Sequence, residues 1–462
     1  IVMLKAGRTS AGARAVSSHT GSLAGAYSAY QAAFKQAGVI EVDDLPALFD
    51  VAWALSCQPT PKGNRAAIFT NAGGPAALAS DSLAANGFEL GEISQVKQDA
   101  LADELNPSAQ VSNPVDMLGG AEPREFAHCL STLLEDEGID AFLPMLVPQA
   151  LVDPAEVARA IVSQAEKTEK TVLVCMVGEK SLGLAREVLH QNHVPMSQFP
   201  EVPGQVLGAM RWYAGWLANE TVKPFALSGI DADRVTKILA EKEGNILGEA
   251  ETRPLLEAYG LDLVPGGLAE NTDEAVQIAQ KIGYPVVIKV VSPQIFHKSD
   301  MGGIMLNLKS EAALREAIQS MTEVLSKKAP EAEIQGYLVE RMAPEGMEVI
   351  VGMRRDPSFG PLMMFGLGGV TVELFKDVGF GVAPFTRDQA RDMIESTQAG
   401  RLLKGFRGGA AYDVEGVIEA IGRLSQLAVD HPIIAEVEIN PLLVLPEGGG
   451  TTVLDARTIL KK

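Results

Sequence analysis

One lysine interrupts the apolar run in YPVVIKVVSPQIFHKSDMGGI, residues 284–304. An ammonium in an otherwise apolar strand is costly to bury unless it meets an anion. Lys289 therefore reads as the grip on a nucleotide phosphate. His297 follows in a loop closed by Gly302 and Gly303, beside a lysine and an aspartate. Neutral imidazole is a competent nucleophile near neutral pH, so His297 reads as the receiver or relay of a phosphoryl group. A second histidine, His19, stands among glycines and hydroxyls in SSHTGSLAG, just before a helix predicted from about Ser22 to Gly38. That helix start, at Gly21 and Ser22, would aim free N–H groups and a positive dipole end at whatever His19 carries. On spacing alone His19 reads as readily as a turn residue beside a cap. Either imidazole needs a carboxylate to orient it, and the sequence identifies none. The other histidines, His128, His190, His193 and His431, have no neighbouring motif and read as structural.

A second constellation closes the chain. In a strand, residues two apart share a face, so Glu436, Glu438 and Asn440 point the same way from EVEINPLLV. A loop centred near Gly448 folds the chain back and brings Asp455 level with Asn440. Glu438, Asn440 and Asp455 then offer hard oxygen ligands, which suits Mg²⁺ held by a few carboxylates plus nucleotide phosphates. The same residues also read as the solvent side of an edge hairpin. For the nucleotide itself, Glu340, Arg341 and Met342 end an apolar strand, where backbone groups would meet an adenine edge. Glu348 would take ribose hydroxyls, and Gly366, Gly368 and Gly369 would let the backbone approach phosphates. Neither a Walker A motif nor a Rossmann glycine fingerprint is present.

These residues need a scaffold. Residues 64 to about 215 alternate strand and helix, with apolar strands at 65–70, 140–147 and 171–177, which predicts a parallel sheet covered by helices. Asn71, Gly73 and Gly74 form the turn at the carboxyl end of the first strand, where such folds bind ligands. Their amides would hold an anion, or the glycines serve only a tight turn. Asp116, in a second such loop, is a weaker candidate for a polar contact. Residues 41–60 read as a connecting helix and 217–245 as a linker. Residues 246–462 mix antiparallel strands with helices, an α+β unit.

The bulk numbers fit this division. The 462 residues suffice for about three domains. Thirty-nine basic against 59 acidic residues leave a net charge of −20, which argues against nucleic acid and anionic membrane as partners. Three scattered cysteines fit a reducing cytoplasm and exclude a cysteine metal site. No apolar run reaches the ~18 residues of a membrane span, and there is no signal peptide. The chain opens directly on an apolar strand, Ile1–Leu4, which reads as the cut end of something longer.

The segments together resemble the ADP-forming acyl-CoA synthetases, and more distantly succinyl-CoA synthetase. SHTGSLAG (18–25) resembles the family's phosphohistidine segment, and SPQIFHKSDMGG (292–303) its swinging-loop histidine segment. PVVIK resembles the ATP-grasp lysine segment, and EVEINPL with the later aspartate the Mg²⁺-nucleotide site. The resemblance implies a flavodoxin-like CoA-ligase domain followed by an ATP-grasp domain. The expected bounds are 1–40 for the remnant of a phosphohistidine domain, 41–225 for the CoA-ligase domain and 226–462 for the ATP-grasp domain. It implies a cytoplasmic ligase whose reaction is acyl-CoA + ADP + phosphate = acid + CoA + ATP, with His19 accepting the phosphoryl and His297 carrying it. The implied ligands are Mg²⁺, ATP or ADP, phosphate, CoA and a small carboxylic acid. The implied partners are further copies of the chain or an N-terminal CoA-binding part that the family places upstream. Two other readings stay open on the residues: an ATP-grasp ligase without a histidine relay, and a nucleotide- and acyl-CoA-sensing protein without catalysis.

Overall fold

Strands buried on both faces demand helices on both faces, and residues 65–197 build that arrangement. The computed structural model describes residues 1–9, 11–12, 14–15, 27–219, 225–242, 244–295, 298–368, 377–405 and 409–461. The chain divides into two compact units, Ile1–Ser22 with Ala37–Thr221, and Leu23–Gln36 with Val222–Lys462.

In the first unit the sheet runs Glu89–Leu90, Arg65–Thr70, Ala141–Leu146, Val174–Met176, Met196–Ser197, all parallel. By chain order this is 2-1-3-4-5, the flavodoxin-like winding, whose switch point lies between the first and third strands. Alternate residues feed two cores. Ala67, Phe69, Phe142 and Leu146 pack on one face, and Ala66, Ile68, Leu143 and Met145 on the other. The stretch expected as one connecting helix differs. Ile40–Val42 is a strand parallel to Val2–Leu4, and the helix is Leu45–Cys57. Asp44 fixes that start by accepting from the Ala47 amide at 2.8 Å, with Pro46 in the first turn.

Among the described residues the second unit holds two antiparallel sheets. The smaller has the order Gly266–Ala269, Gly336–Arg341, Val286–Val291, Ile304–Leu308. The larger is built around the long strands Ile434–Val444 and Met347–Asp356. The helix Thr272–Ile282 shows why its sequence folds locally. Asn271 caps it through the Glu274 amide, acids fill its first turn, Lys281 its last, and Gly283 leaves it at a φ of 86°. The segment expected as a linker contributes to the core instead. Val235 and Leu239, on the helix Ala232–Ala240, pack with Leu255, Tyr259 and Ile421, because their spacing gives that helix one apolar side. The helix Tyr27–Ala37 also groups with this unit. Gln36 pairs both ways with the Val382 backbone, and Tyr30 meets Phe359 edge-on. Among the described residues no helix is long and apolar enough to cross a membrane.

Candidate active site

Lys289 lies in the middle of Val286–Val291, a strand paired on both sides. That position leaves its side chain 8% exposed. Its ammonium sits 2.6 Å from Glu249 Oε1 and 2.7 Å from Glu340 Oε2, and donates to the Leu454 carbonyl. The anions beside it are therefore carboxylates of the chain itself. Arg253 pairs with the other oxygen of Glu340 and donates to the Val264 carbonyl at 2.6 Å. Lys298 lies 2.5 Å from Glu249 Oε2 and 3.4 Å from both Asp455 oxygens. Six charged side chains thus form one connected network.

Its protonation follows from the neighbours. Burial alone would lower the Lys289 ammonium, but Glu249, Glu340 and Asp455 outweigh it and raise the pKa, so the lysine stays charged. Burial likewise opposes ionisation of Glu249, yet Lys289 and Lys298 hold it below the usual carboxylate range. Glu340 goes the other way, raised by burial against the pull of Lys289. Burial and repulsion from Glu249 push Asp455 up to about 7, with Lys298 and Lys289 opposing. The Asp455 side chain keeps 34% exposure, so its proton can exchange with solvent.

Beside this network lies a cavity of about 580 Å³, lined by Lys289, Glu340, Arg341, Met342 and Glu348, with Val264, Val287 and Leu443 among its apolar walls. Five residues singled out in the sequence therefore meet around one space. The amides of Arg341 and Met342 already donate to the carbonyls of Pro265 and Pro285, both at 2.9 Å, because the strand end is still hydrogen-bonded there. Gly368 donates its N–H to the Glu348 carbonyl at 3.0 Å, and a Cβ there would fall 2.9 Å from the backbone of Glu348 and Val349. Gly369 lies outside the described residues.

The terminal strands bring the oxygen donors together. The Asn440 amide donates to the Asp455 carbonyl at 3.0 Å, and the Asn440 side chain donates to Glu438 Oε1 at 3.3 Å. Glu438 also pairs with Arg457 at 2.6 Å, the residue opposite it in the ladder. Among the described residues no three His, Cys, Asp or Glu side chains gather as a metal group. One asparagine and two carboxylates suit a cation that takes its other ligands from phosphate and water.

In the first unit, Asn71 sits at the switch point of the sheet, and its side chain is held by the neighbouring strand end. Its side chain donates to the Val147 carbonyl at 2.9 Å and accepts from the Val147 amide at 2.8 Å, closing the crevice between two strands. Among the described residues no side chain caps the following helix, Gly73–Ala85. Among the described residues, a Cβ on Gly74 would meet nothing within 4 Å, and one on Gly73 would meet only Asp116, at 3.1 Å. His19, Gly21, Ser22 and His297 lie outside the described residues. Of the histidines taken as structural, His431 is buried against the Tyr259 hydroxyl at 3.0 Å, and His190 stacks on Trp53.

Sequence reasoning missed Glu249, Arg253 and Lys298. Glu249 opens the helix Glu249–Ala258, where an acid reads as a dipole partner. The available signal was a lysine in the strand needing a buried counter-charge from somewhere.

Three domain families match the chain: a succinyl-CoA ligase-like flavodoxin domain over residues 1–55, a ligase-CoA domain over 66–219 and an ATP-grasp domain over 237–460. The class is thus a CoA-ligase unit joined to an ATP-grasp unit. The chain is 39% identical to an ADP-forming acetate–CoA ligase I of Archaeoglobus fulgidus over all of its own length and 66% of that protein's. It is 35% identical to an ADP-forming acetate–CoA ligase of Methanocaldococcus jannaschii, over 99% of this chain and 67% of that one. The separate beta subunit of an ADP-forming acetate–CoA ligase I of Pyrococcus furiosus is matched over its whole length at 42% identity, by 49% of this chain. A solved acetyl-coenzyme A synthetase 1 chain of Ca. Korarchaeum cryptofilum is 43% identical, covering 50% of this chain and 99% of that one at a TM-score of 0.47. The chain belongs to the ADP-forming acetyl-CoA synthetase family. It spans about two thirds of the length of its single-chain curated relatives.

Proposed function

We propose that this chain carries the phosphoryl-relay and nucleotide half of an ADP-forming acid–CoA ligase, which interconverts acyl-CoA, ADP and phosphate with a small carboxylic acid, CoA and ATP. The observation that carries the reading is the 580 Å³ cavity, with Lys289, Glu340, Arg341, Met342 and Glu348 in its lining. Lys289 binds phosphate oxygens, since its ammonium stays charged at the cavity wall. Glu348 binds the ribose, and the turn after Arg341 and Met342 reads the base. Gly368 and Gly369 let the chain approach the phosphates closely. Glu438, Asn440 and Asp455 would hold Mg²⁺, which neutralises charge on the transferring phosphoryl when bound. His297 carries the phosphoryl between this cavity and His19, and Gly21, Ser22, Gly73 and Gly74 supply helix-start amides for it. The domain division proposed with this is 1–40, 41–225 and 226–462. Separate alpha and beta subunits among the relatives support pairing of this chain with a CoA-binding part.

Incubation with Mg²⁺ and γ-labelled ATP is expected to leave acid-labile, base-stable phosphate on the chain. The His297→Ala protein should take up none, and Lys289→Ala should lose nucleotide affinity. The second change leaves Glu249 with Lys298 and Glu340 with Arg253, each short of one cation, so it should also lower stability. Label that survives in a protein carrying both His19→Ala and His297→Ala overturns the relay.

A further inference from the structure

Glu249 is a carboxylate divided between two lysines with different chain neighbours. Its Oε1 takes Lys289, which lines the cavity, and its Oε2 takes Lys298. Lys298 opens the short helix Lys298–Met301 and directly follows His297 in the chain. The Glu249 side chain is 4% exposed and that of Lys298 15%, so both charges are held away from water, where such a pair keeps its geometry. The other end of the turn is pinned independently. The Gly303 amide donates to the Lys298 carbonyl at 2.7 Å, and the Val290 amide donates to the Gly303 carbonyl at 2.8 Å. A Cβ on Gly303 would fall 2.6 Å from the Val290 side chain, so the turn lies tight against the strand that carries Lys289. The Lys298 side chain is therefore the tie that fixes the start of this turn to the charged network, and through Asp455 to the proposed cation ligands.

We propose that Lys298 and Glu249 are positioning residues: the Lys298–Glu249 pair docks the histidine-bearing loop against the nucleotide cavity, and Glu249 links that docking to the phosphate-binding lysine. The proposal rests on reading the cavity as a nucleotide site and His297 as the phosphoryl carrier. Neither Lys298 nor Glu249 needs to touch the transferred group. Their effect is on how often the loop presents its imidazole at the distance where transfer occurs, and misplacement by about 1 Å costs up to ~100-fold in rate. Arginine at 298 keeps the charge and reaches the same carboxylate, whereas glutamine keeps length and polarity and loses the charge.

Two measurements on the full chain test this. The first is single-turnover phosphoenzyme formation from Mg²⁺ and labelled ATP, with ATP affinity measured by calorimetry. Lys298→Gln should form phosphoenzyme about 10- to 100-fold more slowly than the native protein, with ATP affinity changed by less than about threefold, and Lys298→Arg should recover most of the rate. Parallel loss of affinity and rate, or no loss of rate, overturns the positioning role. The second is hydrogen exchange of residues 298–303 in the protein without nucleotide. Lys298→Gln and Glu249→Gln should each speed exchange there while the strand 434–444 exchanges as before. Unchanged exchange at 298–303 overturns the docking, whatever the chemistry. A native protein that takes up no label, with exchange altered as expected, refutes the relay function and leaves the docking standing.

Discussion

Asp140 shows what a single residue contributes to stability away from the site. Arg65 holds it with Nε at 2.9 Å from Oδ2 and Nη2 at 3.0 Å from Oδ1, and the Arg65 amide adds a third bond at 3.0 Å. The Arg65 hydrogen bond, against the opposing effect of burial, depresses the Asp140 carboxyl below its usual range. A carboxyl depressed in the folded state contributes stability above its unfolded pKa of about 3.9 and loses it as pH falls. The urea midpoint should therefore drop as pH is lowered from about 5 to 3, and Asp140→Asn should flatten that part of the curve and lower the midpoint near pH 7. The same scale explains what the sequence made legible. Lys289 announced itself because a charge among valines needs a partner. Glu249 did not, since an acid at a helix start has a sufficient local reason to be there. Lys298 was masked by the histidine before it. Asn71 was read correctly as lying at a strand end, but its partner Val147 comes from another strand, which no local pattern names.

At the scale of elements, the apolar strands at 65–70 and 140–147 were plain from their composition, and Arg65–Thr70 and Ala141–Leu146 are where they form. Element ends were less plain. Among the described residues Ile40–Val42 pairs only with Val2–Leu4, so nothing in its own short stretch argued for a strand over a helix. The helix at 232–240 looked like linker because it is polar on most sides and its buried face rests on two residues, Val235 and Leu239. Where the strand Gly360–Leu367 ends, Gly368 lies so close to the neighbouring strand that a methyl group would meet backbone at 2.9 Å on Glu348 and Val349. Backbone yields less than a side chain tip. Gly368→Ala should therefore lower stability by about 1–3 kcal/mol in urea titration and weaken nucleotide binding, because Glu348 lines the cavity.

At the scale of the whole molecule, each unit has its own cores. The parallel sheet is covered on both faces in the first, and the two antiparallel sheets each carry a cluster in the second. Calorimetry should accordingly show two transitions. Saturating Mg-ATP should raise only one of them, by about 2.7 kcal/mol of added stability at a hundred times Kd, and a uniform shift of both would contradict the assignment of the cavity to the second unit alone.

The network around Lys289 has a last consequence. Counted formally, Lys289, Lys298 and Arg253 balance Glu249, Glu340 and Asp455. No large excess of positive charge therefore waits here before a guest arrives. A bare triphosphate would tip that balance by several negative charges in a medium that screens poorly. Nucleotide escorted by its own divalent counterion should be admitted, and the unescorted anion turned away.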